Sequence, residues 1–370
     1  MTTLPEASLA SAMRENLLDL DPDAALARLQ EWFALRGEPS YRAAQVFARL
    51  WLRPVHTFAE ATELPTSLRA ALDASFRIPE LALEARQCST DGTEKFLFRL
   101  DDGQLIETVA IPDDHRMTLC ISSQAGCALQ CAFCATGAMG FQRNLRPFEI
   151  AGQVRALRLL SPPILATNVV FMGMGEPLMN WPAVNTTLTL LNDPRALGIG
   201  ARHITISTVG VLPGIVALGE RAEQFRLAIS IHAPTDELRR SLMPINVKYP
   251  LAEVIAAASH FDRRVTFEYV LLGGVNDQPT HAAQLAALAR DCRAFVNLIP
   301  LHPGGTMGFT PSSGPVTSAF VRALRARGVE TAVRRSRGLD IAAACGQLRT
   351  ERLGRRLPIA PDEHGEIHVA

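Results

Sequence analysis

Seven short apolar runs, rich in β-branched residues, recur through the last two thirds of the chain at intervals long enough for a helix. These runs lie at 118–121, 168–172, 203–207, 226–232, 265–272, 295–301 and 331–334. Helical apolar spacing lies between them, at 148–160, 183–191, 251–261, 282–292 and 316–327. Buried parallel strands have this near-continuous apolar character. The sequence therefore predicts an α/β fold with a closed or partial (β/α) barrel, whose functional residues gather at the carboxyl ends of the strands.

The segment before these runs has a different character. Helical apolar spacing occurs at 40–52 and 68–75, and an alternating stretch at 95–111 contains the turn sequence Asp101-Asp102-Gly103. We expect three parts in chain order: a small N-terminal helical accessory domain at 1–92, a barrel core at 93–350 that includes a β extension at 95–111, and a C-terminal tail at 351–370.

Composition favours a cytoplasmic protein that has no membrane partner. The 37 basic and 37 acidic residues balance, and the first thirty residues contain acids and no uninterrupted apolar segment. No window approaches the roughly 18 apolar residues of a membrane span. The seven cysteines are odd in number and clustered, in a chain too long to need disulfides for folding. Reduced thiols that bind metal or react are the better interpretation.

Charge is unevenly distributed along the chain. Between residues 321 and 356 there are ten arginines against three acidic residues. Such a stretch can bind the phosphates of a nucleic acid, but it can equally be a solvated helix face. Charge alone leaves both interpretations open.

Three cysteines follow the first predicted barrel strand closely. Cys127, Cys131 and Cys134 stand at C-x3-C-x2-C spacing in the run GCALQCAFCATG. Three thiolates leave one position of a four-ligand metal site open, whereas structural zinc sites and ferredoxin clusters take four protein ligands. A zinc site completed by a distant ligand and three buried structural cysteines are the alternatives. An iron–sulfur cluster with one open position is favoured.

These motifs resemble those of radical S-adenosylmethionine enzymes. An aromatic residue, Phe133, precedes the last cysteine, and the run GMGEPL at 173–178 follows the second predicted strand. The resemblance implies a [4Fe-4S] cluster whose fourth iron is chelated by S-adenosylmethionine, which is then cleaved to a 5′-deoxyadenosyl radical. The residues expected to bind this cofactor at the strand ends are Gly175, Glu176, Ser207, Ser230, Ile231 and His232.

A narrower resemblance covers residues 41–348. The runs at 106–112, 120–124 and 335–348 are similar to those of the RlmN/Cfr family of RNA adenosine methyltransferases. The family implies methylation of carbon 2 of an adenosine in 23S rRNA and in tRNA beside the anticodon, or of carbon 8 of the rRNA adenosine. It also implies two S-adenosylmethionine molecules per turnover, an external flavodoxin-like electron donor and a monomer.

The family resemblance assigns three further residues to catalysis. Cys345 would be methylated on sulfur and then joined to the base by radical addition. Cys120 would be the resolving thiol, through a transient disulfide with Cys345, and Glu107 the proton acceptor. Taken alone, Cys120 could be a buried strand cysteine, and Cys345 a small residue in an alanine-rich turn.

One position departs from the family pattern. The family has an asparagine that contacts S-adenosylmethionine where this chain has His302, which can still form a hydrogen bond there. Arg335 and Arg337 could hold RNA phosphates. Two alternatives from other classes stay open: a radical enzyme that acts on a protein or small metabolite, and a non-catalytic, zinc-stabilised RNA-binding module.

Overall fold

The structure, a computed structural model, describes residues 14–301, 308–343 and 348. Its N-terminal part consists of three helices, α1 (Pro22–Ala34), α2 (Tyr41–Leu50) and α3 (Thr66–Ser75). Helix α1 begins where it does because the Asp21 carboxylate accepts hydrogen bonds from two backbone N–H groups of the first turn. Trp32 and Phe33 of this helix are buried in the core. The expected helical character of this part is confirmed.

Four strands form the antiparallel part of a ten-stranded sheet, namely β1 (Ala82–Cys88), β2 (Glu94–Arg99), β3 (Leu105–Asp113) and β4 (Arg116–Cys120). The β2–β3 hairpin is the predicted β extension, and its turn contains Gly103 at φ 81°, which glycine adopts without strain. Strand β1 lies inside the segment predicted to be helical. The helical part of the chain therefore ends at Ser75, where the helix predicted at 68–75 ends, and residues 82–88 of the expected helical domain pair with β2 instead.

A small separate hairpin follows β4. It consists of β5 (Gln124–Gly126) and β6 (Phe141–Asn144), with the short helix α4 (Ala135–Ala138) between them. None of these three elements was predicted from the sequence. They enclose all three cysteines of the C-x3-C-x2-C run.

The rest of the sheet is parallel. After β4 it continues through β7 (Asn168–Phe171), β8 (Ile204–Thr208), β9 (Arg226–Ser230), β10 (Val265–Leu271), β11 (Phe295–Pro300) and β12 (Thr331–Val333). All seven predicted barrel strands are confirmed. Among the described residues β12 pairs with β11 alone, so that the barrel is partial.

Helices connect the parallel strands. They are α5 (Pro147–Arg158), α6 (Trp181–Asn192), α7 (Leu212–Gly219), α8 (Asp236–Leu242), α9 (Leu251–Ser259), α10 (Pro279–Asp291) and α11 (Gly314–Arg325). Five of them were predicted, and α7 and α8 were not. None of the helices in the described ranges has the length and apolar character that a membrane span requires.

Two arginines of α5 attach the N-terminal helices to the barrel. Arg155 is 3% exposed and donates to the backbone carbonyls of Leu50 and Val55, at 2.9 and 2.5 Å. Arg158 donates to the carbonyls of Trp51 and Leu52, both at 3.2 Å. Burial lowers the pKa of Arg155 to about 10. These bonds tie the end of α2 and the segment after it to α5 of the barrel.

Candidate active site at the carboxyl ends of the parallel strands

The cysteine loop, residues 127–140, lies between β5 and β6 of the hairpin that follows β4. At the base of the β5–β6 hairpin, the Cys127 N–H donates to the Gly140 carbonyl at 2.9 Å. Gly126 has φ 76°, and a Cβ there would collide with that carbonyl, so that only glycine fits. The hairpin therefore holds the loop closed at the strand end where barrel enzymes place functional residues.

The three thiols of this loop influence one another. Burial raises the pKa of Cys127 to about 11, with further contributions from Cys134 and Glu176. Burial raises the pKa of Cys131 further still, helped by Cys134, Cys127 and Glu176. Because a metal ligand must be the thiolate, metal binding has to displace protons from these sulfurs.

The donor set of the loop fits an iron–sulfur cluster with one open position. Such clusters are bound by thiolates, and the loop supplies three mutually interacting thiols and no fourth cysteine.

His232, at the end of β9, contacts the cysteine loop. Its ring meets the Phe133 ring edge-on, with centroids 4.7 Å apart. Its backbone has φ 56°, and its Nδ1 accepts a hydrogen bond from the Val270 N–H at 3.0 Å. Burial, with the charge of Arg239, lowers the pKa of His232 to about 3. The ring is therefore neutral, and its Nε2 carries the proton.

The glycines of the GMGEPL run allow β7 to approach the β4–β5 connection. A Cβ on Gly173 would lie 2.6 Å from the Ile121 carbonyl oxygen, and one on Gly175 would lie 2.5 Å from Cβ of Gln124. Gly175 also has φ 98°, a conformation that other residues rarely adopt. The structure therefore gives both glycines a packing role beside the cysteine loop.

Glu176 is buried, and its carboxylate is held by backbone groups. Oε1 accepts from the Leu178 N–H at 3.0 Å and Oε2 from the Val209 N–H at 2.9 Å. Burial raises its pKa to about 7, although these hydrogen bonds oppose the change. The carboxylate thus links the end of β7 to the end of β8.

The other predicted cofactor residues lie at neighbouring strand ends. Ser207 is half-buried in β8, and Ser230 is half-buried at the end of β9. Ile231 is fully buried, and its N–H donates to the Glu268 carbonyl at 3.1 Å. The strand ends therefore bring together Glu176, Ser207 and the 230–232 segment.

Glu107 and Cys120 lie on one face of the antiparallel part of the sheet. Val109 pairs directly with Cys120, and Glu107 stands two residues before Val109 on the same face. Glu107 and Cys120 are 3% and 5% exposed. Diagonal neighbours of this kind are separated by roughly 7–8 Å. Two residues taken from separate motifs are therefore adjacent.

Two further side chains support this pair. Lys95 Nζ lies 3.2 Å from Oε1 of Glu107, and both side chains are buried. The Gln153 amide accepts from Thr108 Oγ1 and from the Ser122 N–H, both at 2.8 Å, and donates to the Ser122 carbonyl. Gln153 thereby ties the strand of Glu107 to the β4–β5 connection.

Cys345 and His302 lie outside the described residues. The described chain on either side of Cys345 is attached at two places. Asp340 accepts from Ser89 Oγ at 2.6 Å, and the Leu348 carbonyl accepts from Thr136 Oγ1 at 2.6 Å. Thr136 lies in α4, two residues after the last cysteine of the loop.

The sequence did not identify two polar residues inside the barrel, Glu268 and Asn297. Glu268 in β10 is buried beside Asn297 of β11, whose amide donates to it at 2.7 Å. Burial raises the pKa of Glu268, opposed by the charge of Arg334 and by this hydrogen bond. A single acidic residue within an apolar strand was the signal that could have revealed Glu268.

The basic stretch is described only in part. Arg335 is exposed, and Arg337 lies 3.6 Å from Asp113 in an ion pair. Four of its ten arginines lie beyond residue 348, outside the described residues. Whether this stretch binds RNA stays a prediction.

Comparison with known proteins identifies the class of enzyme. The model of the radical SAM superfamily matches residues 121–286, which contain the cysteine loop and β7 to β10. A solved structure of a radical SAM methyltransferase from Sphaerobacter thermophilus superposes with a TM-score of 0.85 at 44% identity, covering 91% of this chain and 99% of that one. Fold and site together define a radical S-adenosylmethionine enzyme.

A match to the N-terminal segment and two relatives that match most or all of the chain identify the family. A model described as the ribosomal RNA large subunit methyltransferase N-terminal domain matches residues 15–78. A probable dual-specificity RNA methyltransferase RlmN from Gemmatimonas aurantiaca is 77% identical over the whole of both chains. A dual-specificity RNA methyltransferase RlmN from Anaeromyxobacter dehalogenans is 45% identical, covering 88% of this chain and 90% of its own. The chain belongs to the RlmN family of radical SAM RNA methyltransferases.

The predicted family, fold, enzyme class and cofactors are thereby confirmed. Enzymes of this family use a [4Fe-4S] cluster and S-adenosylmethionine. The roles of the individual site residues stay predictions.

Proposed function

We propose that the chain methylates carbon 2 of an adenosine in 23S rRNA and of the adenosine beside the anticodon in tRNA. Its relatives are named dual-specificity RNA methyltransferases, and its N-terminal segment matches a domain named for methylation of the large ribosomal subunit RNA. The observation that carries the mechanism is the adjacency of Glu107 and Cys120 on one sheet face, beside the cysteine loop.

Three residues, Cys345, Glu107 and Cys120, would carry out the transfer of the one-carbon group to the base. Cys345 carries the one-carbon group as a thioether and becomes covalently joined to carbon 2 of the base. The aromatic ring is restored when the radical adduct loses one electron, for which the oxidised cluster would be the acceptor, and the proton on carbon 2, which Glu107 accepts. The Cys120 thiolate attacks the sulfur of Cys345, so that a disulfide forms, the carbon–sulfur bond breaks, and the released carbon takes up a proton to become the methyl group.

Cys127, Cys131 and Cys134 would hold the cluster. When bound, the cluster supplies one electron, and S-adenosylmethionine supplies the methyl group and the radical that abstracts hydrogen. The strand ends would bind S-adenosylmethionine through the residues Gly175, Glu176, Ser207, Ser230, Ile231, His232 and His302. The neutral His232 ring, packed on Phe133, would keep water away from that side of the loop.

Mass spectrometry of nucleosides tests the position of methylation. We expect 2-methyladenosine after the reconstituted enzyme acts on 23S rRNA fragments, and separately after it acts on tRNA. A product that contains 8-methyladenosine alone would refute the carbon 2 assignment. Methylation of only one of the two RNAs would refute dual specificity.

A trapped adduct tests the residue roles. We expect Cys120→Ala to accumulate a covalent protein–RNA species, because the carbon–sulfur bond can no longer be broken by the neighbouring thiol. Cys292→Ala is the matched control, since this half-buried cysteine, which follows α10, donates to the Ile255 carbonyl, away from the strand ends. Intact cleavage of S-adenosylmethionine without an adduct in Cys120→Ala would contradict the mechanism.

A further inference from the structure

Arg239 is a fully buried arginine in the short helix α8 that follows β9. Each of its five N–H groups has an acceptor in the structure. The acceptors are the backbone carbonyls of Ile231, Val209, Ser230 and Tyr249 and the side-chain amide oxygen of Asn246, at 2.5–3.5 Å. All five are neutral oxygen atoms, which hold the guanidinium without cancelling its charge.

The positive charge of Arg239 lacks a close carboxylate. Within the described ranges no acidic side chain comes within 4.0 Å of its guanidinium. Two groups act on it electrostatically, the Cys131 thiol and, less strongly, the Asp236 carboxylate. Asp236 is half-exposed and also accepts hydrogen bonds from Asn246 and from the Leu251 N–H. A buried cation of this kind is costly for folding unless a negative charge faces it.

Helix α8 contacts the cysteine loop directly. The Ala132 N–H, between Cys131 and Cys134, donates to the Leu242 carbonyl at the end of α8, at 2.9 Å. Arg239 stands one turn earlier in the same helix. Its charge also contributes, after burial, to lowering the pKa of His232, whose ring packs on Phe133 of the loop. The positive charge of Arg239 therefore acts on the cysteine loop.

We propose that Arg239 is a built-in counter-charge for the iron–sulfur cluster, a positioning residue that raises the reduction potential of the cluster. The proposal rests on the assignment of Cys127, Cys131 and Cys134 as ligands. A four-iron cluster with three thiolate ligands has a net negative charge, which grows when the cluster takes up an electron. A fixed positive charge nearby stabilises the reduced form more than the oxidised form.

A redox titration of the full-length, anaerobically reconstituted protein tests this. The EPR signal of the reduced cluster is followed against ambient potential, and iron and sulfide are measured for every variant. Arg239→Met removes the charge, and we expect the ratio of reduced to oxidised cluster at fixed potential to fall on the order of tenfold. A unit charge about 10 Å away, at an effective dielectric constant of about 20, changes an equilibrium by roughly that factor, which corresponds to about 59 mV.

Two further variants separate the effect of the Arg239 charge from the effect of a disturbed fold. Arg239→Lys keeps the charge but loses two of the five donors, and we expect its ratio to stay within about threefold of that of the unsubstituted protein. Arg240→Met is the matched control, because Arg240 is the exposed neighbour on the same helix. The reduction potential of the cluster should not change in this variant. An unchanged potential in a fully loaded Arg239→Met protein overturns the proposal, as does a tenfold change in Arg239→Lys.

If Arg239→Met does not bind iron, Arg239→Gln is titrated instead, because it removes the charge and keeps a side chain that can donate to the carbonyls around it. We expect the same fall in the ratio of reduced to oxidised cluster. An unchanged or more positive potential refutes the counter-charge. An unsubstituted chain that takes up no iron contradicts the cysteine assignment instead, and the proposal falls with it.

Discussion

The buried ion pair between Lys95 and Glu107 offers the sharpest test of the energetics of the site. Their side chains are 7% and 5% exposed, and Nζ lies 3.2 Å from Oε1. Removal of one member of a buried pair leaves the other charge without its counter-ion, which costs about 3–5 kcal/mol. We therefore expect Lys95→Met to lower the free energy of unfolding of the reduced apoprotein by about that amount.

Urea denaturation followed by circular dichroism measures this loss. The double variant Lys95→Met, Glu107→Gln should recover a large part of it, because no charge is then left buried. Arg116→Met is the matched control, since Arg116 pairs with Asp113 between β3 and β4 while 64% exposed. The control should change stability by less than about 1 kcal/mol. A loss below about 1 kcal/mol in Lys95→Met would refute the reasoning.

Three further predictions concern burial elsewhere. The pKa of Glu176 is raised from 4.5 to about 7, so its contribution to apoprotein stability is complete below pH 4.5 and is lost as pH rises through 7. Relative to Glu176→Gln, the unsubstituted apoprotein should lose about 3 kcal/mol between pH 4.5 and 7.5 in urea titrations, and parallel pH profiles would contradict this. Gly175→Ala should lower the melting temperature more than Gly37→Ala, because both glycines have positive φ but only Gly175 has no space for a Cβ; equal losses would argue against a packing role. Arg155→Met should increase hydrogen exchange and proteolysis of the N-terminal helices, because it removes their buried hydrogen bonds to α5, and unchanged protection would show that these bonds are dispensable.

The sequence predicted the parallel part of the fold well because buried parallel strands are apolar on both faces. The run VTFEYVLL at 265–272 and the run FRLAISIH at 225–232 contain few polar residues. Helix α7 was missed because it is short and contains Gly214 and Gly219, which weaken a helical signal. Strand β1 was missed because it is almost wholly exposed, so that its sequence lacks the apolar alternation that predicts a strand.

The candidate site was predictable where a motif carries its chemistry. The cysteine run and the GMGEPL run are local, and their positions after strands follow from the barrel pattern. Lys95, Glu268 and Arg239 were not predicted, because each depends on a partner that is distant in sequence or is a backbone group. Asn297, for example, meets Glu268 only through the register of β10 with β11.

The buried charged groups at the strand ends share one property that bears on their function. Glu176 accepts from backbone N–H groups, and Arg239 donates to carbonyls and to one amide. Neutral partners of this kind satisfy hydrogen bonds but leave the charge itself uncancelled, whereas an ion pair would cancel it. Apolar residues would stabilise the fold better at such positions. Buried charges without an ion-pair partner do have a use where they act electrostatically on a bound cofactor or substrate. Residues that oppose stability in this way are expected at functional sites.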